Sequence, residues 1–150
     1  MKVVIQRVSK ANVSIDNDVK SEIDKGLLIL LGIEDADSEE DIEWLCNKII
    51  NLRIFDDAEG VMNLSLKDID GDAIIVSQFT LHAKTKKGNR PSYIKAAKPN
   101  IAIPLYEKFV MIFETFLGKK VGTGEFGAEM EISLTNSGPV TIIIDTKNKE

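Results

Sequence analysis

A chain of 150 residues, 43% hydrophobic and 29% charged, with ten glycines and four prolines, has the makeup of one folded domain and excludes collagen-like, low-complexity and disordered chains. The net charge of −5 excludes a generally basic nucleic-acid binder, and a single cysteine excludes an internal disulfide and suits a reducing compartment. The N-terminus MKVVIQRVSKANVSI lacks a long apolar stretch, and the longest apolar run, Leu27 to Leu31, is far too short to cross a bilayer, so a cytoplasmic protein without membrane attachment is expected.

Residues 2–8 read as a strand, and residues 11–15 and 19–23 as strands around the turn Asp16-Asn17-Asp18. Lys25-Gly26 turns into LLILLGI, a buried strand by its apolar density. Ser38 is an N-cap candidate, with Glu39, Glu40 and Asp41 where negative charge suits the helix dipole. Ile42, Leu45, Cys46, Ile49 and Ile50 follow at helical spacing, so Cys46 reads as core packing and not as a nucleophile. Leu52 to Phe55 is a short strand, and AIIVSQFTL, residues 73–81, a strong one. Pro104 opens a second helix, with Leu105, Phe109, Ile112, Phe113 and Phe116 as its core stripe and Gly118 ending it. Two closing strands, 131–135 and 140–144, flank Gly138-Pro139. The expected fold is α+β: a mostly antiparallel β-sheet or barrel with two main helices, in one domain spanning residues 1–150.

The charge is unevenly placed. AKTKKGNRPSYIKAAK, residues 83–98, contains Lys84, Lys86, Lys87, Arg90, Lys95 and Lys98 and no acid; outside it 13 basic residues face 24 acidic ones. A solvated loop is the simplest reading of such a run. A basic loop punctuated by Gly88 and Pro91 and carrying Tyr93 can also grip phosphates and stack on a base.

Several motifs fail on context. VGTGEFG matches GxGxxG, yet a helix precedes it and a strand pattern follows, the reverse of a dinucleotide site. One His and one Cys cannot build a His/Cys metal site, and no cofactor is expected. A Ser77–His82 pair is conceivable, but strand alternation points the two to opposite faces, so His82 is expected to be partly exposed and non-catalytic. In IIVSQFTL the face of Ile74, Val76, Gln78 and Thr80 runs from apolar to polar, as a strand does when it leaves the core at a site. Taken alone, these residues are better explained by a strand reaching solvent.

SQFTL at 77–81, KGNRPS at 87–92, TGEFGAEM at 123–130 and NSGPVT at 136–141 occur in this order behind MKVVIQRVSKANV. This combination closely resembles the D-aminoacyl-tRNA deacylase family along essentially the whole chain. It departs from the family's usual pattern at Ser137, where Asp is common, and at His82, where Tyr is common; NSGPVT is similar to the D-specific branch. The resemblance implies a homodimer with tRNA as partner. It implies hydrolysis of the ester between a D-amino acid, or glycine, and the 3′-terminal adenosine, which is translation proofreading. Ser77, Gln78, Phe79 and Thr80 would line the catalytic pocket. Asn136, Gly138 and Pro139, with a cis Gly-Pro bond, would enter the partner subunit's pocket and exclude L-amino acids. Arg7 would hold that loop, and Lys84, Lys86, Lys87 and Arg90 would guide tRNA. The amides of Phe79 and Thr80 are candidate oxyanion donors, worth about 3 kcal/mol each; Thr80 is either a nucleophile without an evident base or a positioning residue beside Gln78. Two other readings fit the residues. One is a non-catalytic RNA-binding module using the basic segment. The other is a dimeric interaction domain in which Trp44, off its helix's core stripe, makes the contact.

Overall fold

The computed structural model covers residues 1–150. Its elements in chain order are β1 (Lys2–Ile15), β2 (Asp18–Ile23), β3 (Gly26–Gly32), α1 (Glu39–Asn51), β4 (Phe55–Asp56), β5 (Met62–Leu64) and β6 (Asp72–Ser77), then a 3-10 turn (Phe79–His82), α2 (Pro99–Leu117), β7 (Gly122–Thr123) and β8 (Glu131–Asp145). β1 is a single strand instead of two. It is long enough to pair β3 along residues 2–8 and β2 along residues 11–15, with β8 on its other edge throughout. Asp16 and Asn17, both at positive φ, make the tight turn that sends β1 back as β2.

β1 pairs its three neighbours antiparallel, while β3–β6 and β6–β7 are parallel. The ring is nearly closed from β7 to β2 by side chains: Ser21 Oγ donates to the Thr123 carbonyl at 2.6 Å and accepts from the Thr123 amide at 3.0 Å, and Lys20 Nζ reaches the Gly124 carbonyl at 2.6 Å. Period two then sorts the apolar residues into two cores. Val3, Ile5, Leu27, Ile29, Leu31 and Ile75 face the helices. Val8, Val13, Leu28, Ile74 and Val76 fill the barrel. This is why LLILL has no polar alternation, since β3 is buried on both faces.

Both helices sit on one side of the sheet. α1 starts at Ser38 as expected, where the Asp41 carboxylate accepts from the Ser38 amide at 2.9 Å, and it buries Ile42, Leu45, Cys46, Ile49 and Ile50. The Cys46 thiol is pushed above its usual range by burial, which suits packing and not reactivity. Leu52 caps this helix, so the expected strand at Leu52–Phe55 begins only at Phe55, where β4 meets β5. α2 opens at Pro99, five residues before Pro104. The N–H that Pro99 lacks belongs to the first turn and needs no partner, while the Lys98 carbonyl accepts from Ile101 and Ala102 at 2.9 and 2.8 Å. Its buried stripe is Ala102, Tyr106, Phe109, Phe113 and Leu117; Leu105 and Ile112 only flank it, and Phe116 is exposed. Gly118, at φ 86°, ends α2 in the left-handed cap expected of it. No helix is long and apolar enough to cross a membrane.

The first residue is part of the core. Met1 is fully buried, and its ammonium donates to the Asp37 carboxylate and to Thr146 Oγ1, the latter at 2.9 Å. Asp37 in turn accepts from the Glu34 amide at 2.8 Å, so the start of β1, the loop before α1 and the end of β8 meet at one charge pair. Removing one member of a buried pair strands the other. Asp37→Asn is therefore expected to lower urea-unfolding stability by about 3 kcal/mol or more. Nearby, partial burial of Asp41 opposes its ionisation, but hydrogen bonds from Thr146, Lys147 and the Ser38 amide hold its carboxyl well below the usual carboxylate range. A carboxyl lowered in the folded state stabilises above its unfolded pKa, and that contribution fades as pH falls. The Tm deficit of Asp41→Asn, measured by thermal melts, is expected to be full near pH 7 and to shrink below about pH 4.

Candidate active site

β6 delivers the first part of the site. Its last rung is the Gln78 amide donating to the Leu31 carbonyl at 2.7 Å. There β3 runs out at Gly32, and the chain stops being a strand. Leu81 N–H closes on the Gln78 carbonyl at 3.3 Å and Ala83 N–H on that of Thr80 at 3.1 Å. The expected strand at 73–81 thus ends at Ser77, and SQFTL is the corner between strand and 3-10 turn. Gly32 permits the corner, because a Cβ there would stand 2.9 Å from Leu81 Cβ and 3.1 Å from the Gln78 carbonyl. Tyr106 anchors β6 from behind by donating to the Ile75 carbonyl at 2.7 Å; burial pushes its hydroxyl up to about 12.

The corner corrects the reading of His82. Alternation no longer holds past Ser77, and His82 is buried at 3% exposure, with Nδ1 3.9 Å from Glu34 Oε2. Thr80 meets Gln78 instead, whose Nε2 donates to Thr80 Oγ1 at 2.6 Å. One of the two acceptor lone pairs of the Thr80 oxygen is thus used, and its proton is free to be donated elsewhere. The bonds of the turn begin at Leu81, so the amides of Phe79 and Thr80 precede its first rung.

Ser77, Gln78 and Phe79 open onto a cavity of about 300 Å³, walled mostly by apolar side chains that include Phe126, Met130 and Ala102. These three wall residues were not singled out in the sequence. Phe126 and Met130 lie in the TGEFGAEM segment, but nothing in that segment marks them as neighbours of Ser77. Phe79 is 54% exposed at the cavity mouth, and its ring meets that of Tyr93 edge-on at 5.1 Å.

NSGPVT makes the second part. The two strands expected around Gly138-Pro139 are one, β8, and the Gly-Pro pair is a bulge within it. Gln6 pairs Thr141 and Val8 pairs Asn136, so residues 137–140 stand opposite Arg7 alone. The Gly138–Pro139 bond is cis, and both residues are exposed. Two side chains hold the bulge. Asn136 closes it like a clasp: its Oδ1 accepts from the Val140 amide at 2.8 Å and its Nδ2 donates to the Val140 carbonyl at 3.1 Å, with Thr141 and Gln6 as further partners. Arg7 props it from below, Nε donating to the Ser137 carbonyl at 2.8 Å and Nη1 to the Ile54 carbonyl at 2.7 Å. The contact at 137 is to backbone and does not use the Ser137 side chain. Gly138 sits at φ 138°, and a Cβ would stand 2.9 Å from both Arg7 Nη2 and Val140 Cγ2.

Within the chain the two parts stay separate. Gly138 and Pro139 do not line the cavity of Ser77, Gln78 and Phe79. From the cavity residue Ile132 to Gly138 is six residues along β8, roughly 20 Å at strand rise. The basic residues form a third part. Lys84 and Ser92 pair in both directions, at 2.8 and 3.0 Å, closing a hairpin with Gly88 at φ 73° in its tip. Lys84, Lys86, Lys87 and Arg90 are exposed on it, and none is paired with an acid.

Comparison with known proteins shows what this chain is similar to. Residues 4–145 match the family model described as D-Tyr-tRNA(Tyr) deacylase. A D-aminoacyl-tRNA deacylase of Flavobacterium psychrophilum is 71% identical over 150 residues, and one of Bacteroides fragilis 66%, each alignment covering 100% of both chains. Among solved structures, a c-Myc DNA unwinding element binding protein superposes with a TM-score of 0.93 at 35% identity, covering 97% of this chain and 99% of its own. A probable eukaryotic D-amino acid tRNA deacylase superposes with a TM-score of 0.82 at 18% identity, covering 95% and 97%, a likeness of fold. With the family pattern running through nearly the whole chain and relatives aligning from end to end, this chain belongs to the D-Tyr-tRNA(Tyr) deacylase family.

Proposed function

We propose that this chain, acting as one domain in the cytoplasm, hydrolyses the ester that joins a D-amino acid or glycine to the 3′-terminal adenosine of tRNA, releasing free amino acid and tRNA. The observation that carries the reading is the pairing of an apolar cavity, walled on one side by Ser77-Gln78-Phe79, with a rigid, exposed Gly-Pro bulge on the same chain. The cavity is of a size to take a nucleobase and sugar. The corner at Gln78 sets the amides of Phe79 and Thr80 outside the ladder of β6, where they can donate to a developing oxyanion.

The chemistry asks little of the protein. Water adds to the ester carbonyl, the bond to the ribose 3′-oxygen breaks, and the proton released by water ends on that oxygen, with the neighbouring 2′-hydroxyl as a relay. An aminoacyl ester is already activated, so orientation and two amide donors supply much of what is needed. Thr80 is a positioning residue in this reading. The one histidine is buried against Glu34, and the Thr80 hydroxyl bonds only to the Gln78 amide, so no base is at hand to make it a nucleophile.

Selection of the D-hand needs an obstacle, because both hands carry the same groups. Gly138-Pro139 serves as that obstacle, its backbone fixed by Arg7 and Asn136. Its place on β8 supports delivery to a second copy: it lies far from its own cavity, the outer edge of β8 pairs with no strand, and Ile143 further along is 71% exposed. A homodimer with two composite sites follows. The unpaired cations of the 84–92 hairpin then face the tRNA acceptor end.

The test is loss of ester from D-aminoacyl-, L-aminoacyl- and glycyl-tRNA; hydrolysis confined to the D and glycyl substrates is expected, and equal hydrolysis of the L substrate would sink the reading. Thr80→Ala is expected to keep most of its turnover in single-turnover assays, whereas a trapped aminoacyl-threonine in the wild type would make Thr80 the nucleophile. Gly138→Ala and Arg7→Lys are each expected to lower the D-over-L ratio of kcat/KM by about tenfold, the first by displacing the bulge and the second by losing the two-carbonyl fork. Charge reversal at Lys86 and Lys87 is expected to weaken tRNA binding more at low salt than at high salt, read from the salt slope of the affinity.

A further inference from the structure

Three features meet at the mouth of the cavity. Phe79 lines the cavity and also projects from it, Tyr93 touches Phe79, and the basic hairpin begins and ends beside them. The two rings meet at 79°, an edge-on contact that leaves flat ring surface open, and both are exposed, Phe79 at 54% and Tyr93 at 38%. Apolar side chains scattered singly on a surface are ordinary; two aromatic rings set against each other at a cavity rim are not. Their placement is also built. Tyr93 directly follows Ser92, the residue that closes the hairpin on Lys84, and its carbonyl accepts from the Ala96 amide at 3.0 Å. The Ala97 amide next to it donates to the Ile33 carbonyl at 2.9 Å, fixing the segment to the end of β3. From residue 83 to 98 there is no acid, and the hairpin cations are unpaired in a protein that is otherwise acidic.

We propose that Phe79 and Tyr93 form a stacking platform for the base next to the terminal adenosine, and that the Lys84–Ser92 hairpin holds the phosphates of this single strand. The inference rests on the deacylase reading for the direction of the strand: the esterified adenosine fills the cavity, so the preceding nucleotide leaves past Phe79. Bases of a single strand are free to stack on aromatic rings, whatever their identity, and positive groups beside the rings track the backbone. Such a platform recognises that a 3′ end is single-stranded and says nothing about which amino acid it carries. An enzyme that serves many tRNAs needs a contact of that kind. Tyr93 thereby sets substrate length, and selection by hand stays with Gly138-Pro139.

The test uses the whole protein and two stem–loop RNAs with single-stranded 3′ ends, each bearing a D-amino acid on its terminal adenosine through a non-hydrolysable amide. The second RNA is abasic at the penultimate nucleotide. By fluorescence anisotropy at fixed salt, the wild type is expected to bind the abasic RNA about tenfold more weakly. Tyr93→Ala is expected to bind both RNAs at that weaker level, and Tyr93→Phe to restore the difference. In turnover, Tyr93→Ala is expected to raise KM for D-aminoacyl-tRNA about tenfold with kcat unchanged, and to leave hydrolysis of D-aminoacyl-adenosine, which lacks the penultimate nucleotide, as it is in the wild type. Equal affinities of the wild type for the two RNAs, undiminished discrimination by Tyr93→Ala, or equal loss on D-aminoacyl-adenosine would each overturn the platform. Base-dependent binding without any ester cleavage would instead support the platform and remove the deacylase reading.

Discussion

The guanidinium of Arg7 reaches two backbone carbonyls that are far apart in sequence, Ser137 in the bulge of β8 and Ile54 at the end of the α1 segment. The shape of the Gly-Pro bulge depends on that fork. A four-residue excursion opposite a single residue of β1 leaves carbonyls without ladder partners. Arg7 satisfies one of them from the strand below, and Asn136 satisfies the amide and carbonyl of Val140 from within the bulge. A planar fork with fixed donors holds a position that a flexible ammonium would not. Gly138 completes the arrangement, because only a residue without Cβ can lie that close to Arg7 Nη2 at φ 138°.

The corner at SQFTL is likewise set by backbone. β6 stops where β3 stops, and Gly32 lets the chain fold over that end, so the amides that leave the ladder are those of SQFTL. Three titratable side chains are buried in the fold. His82 is buried against Glu34, Tyr106 is tied to Ile75, and Cys46 sits in the helix core. Backbone held at both ends does not yield as a side chain on free rotamers does.

Much of the fold was legible because its signals are local and periodic. The N-cap at Ser38, the stripe of Ile42 to Ile50, the two-residue turn at Asp16-Asn17 and the left-handed cap at Gly118 each depend on neighbours within a few residues. The errors arose where two local signals competed or a partner strand decided. Pro104 is as good a helix opener as Pro99 by residue type, and Lys98 settles it by receiving two amides. The alternation of AIIVSQFTL reads as strand to its end, but β3 supplies no rung beyond Leu31, so Gln78 turns. Gly138-Pro139 breaks a strand on any local rule, yet β1 holds both halves in one ladder.

The sequence by itself determined the α1 stripe from Ile42 to Ile50 and the basic run from Lys84 to Lys98, because residue type and spacing carry both, while SQFTL and NSGPVT stood out only through resemblance to a family. Only the tertiary structure decided that Gln78 meets Thr80, that Arg7 meets the Ser137 and Ile54 carbonyls, that Phe79 rests on Tyr93, and that the Gly-Pro bulge stands apart from the cavity. The physical reason is common to all four. Backbone carbonyls carry no residue identity, and the length of β1, which lets one strand hold β2, β3 and β8, brings together groups that no local spacing relates.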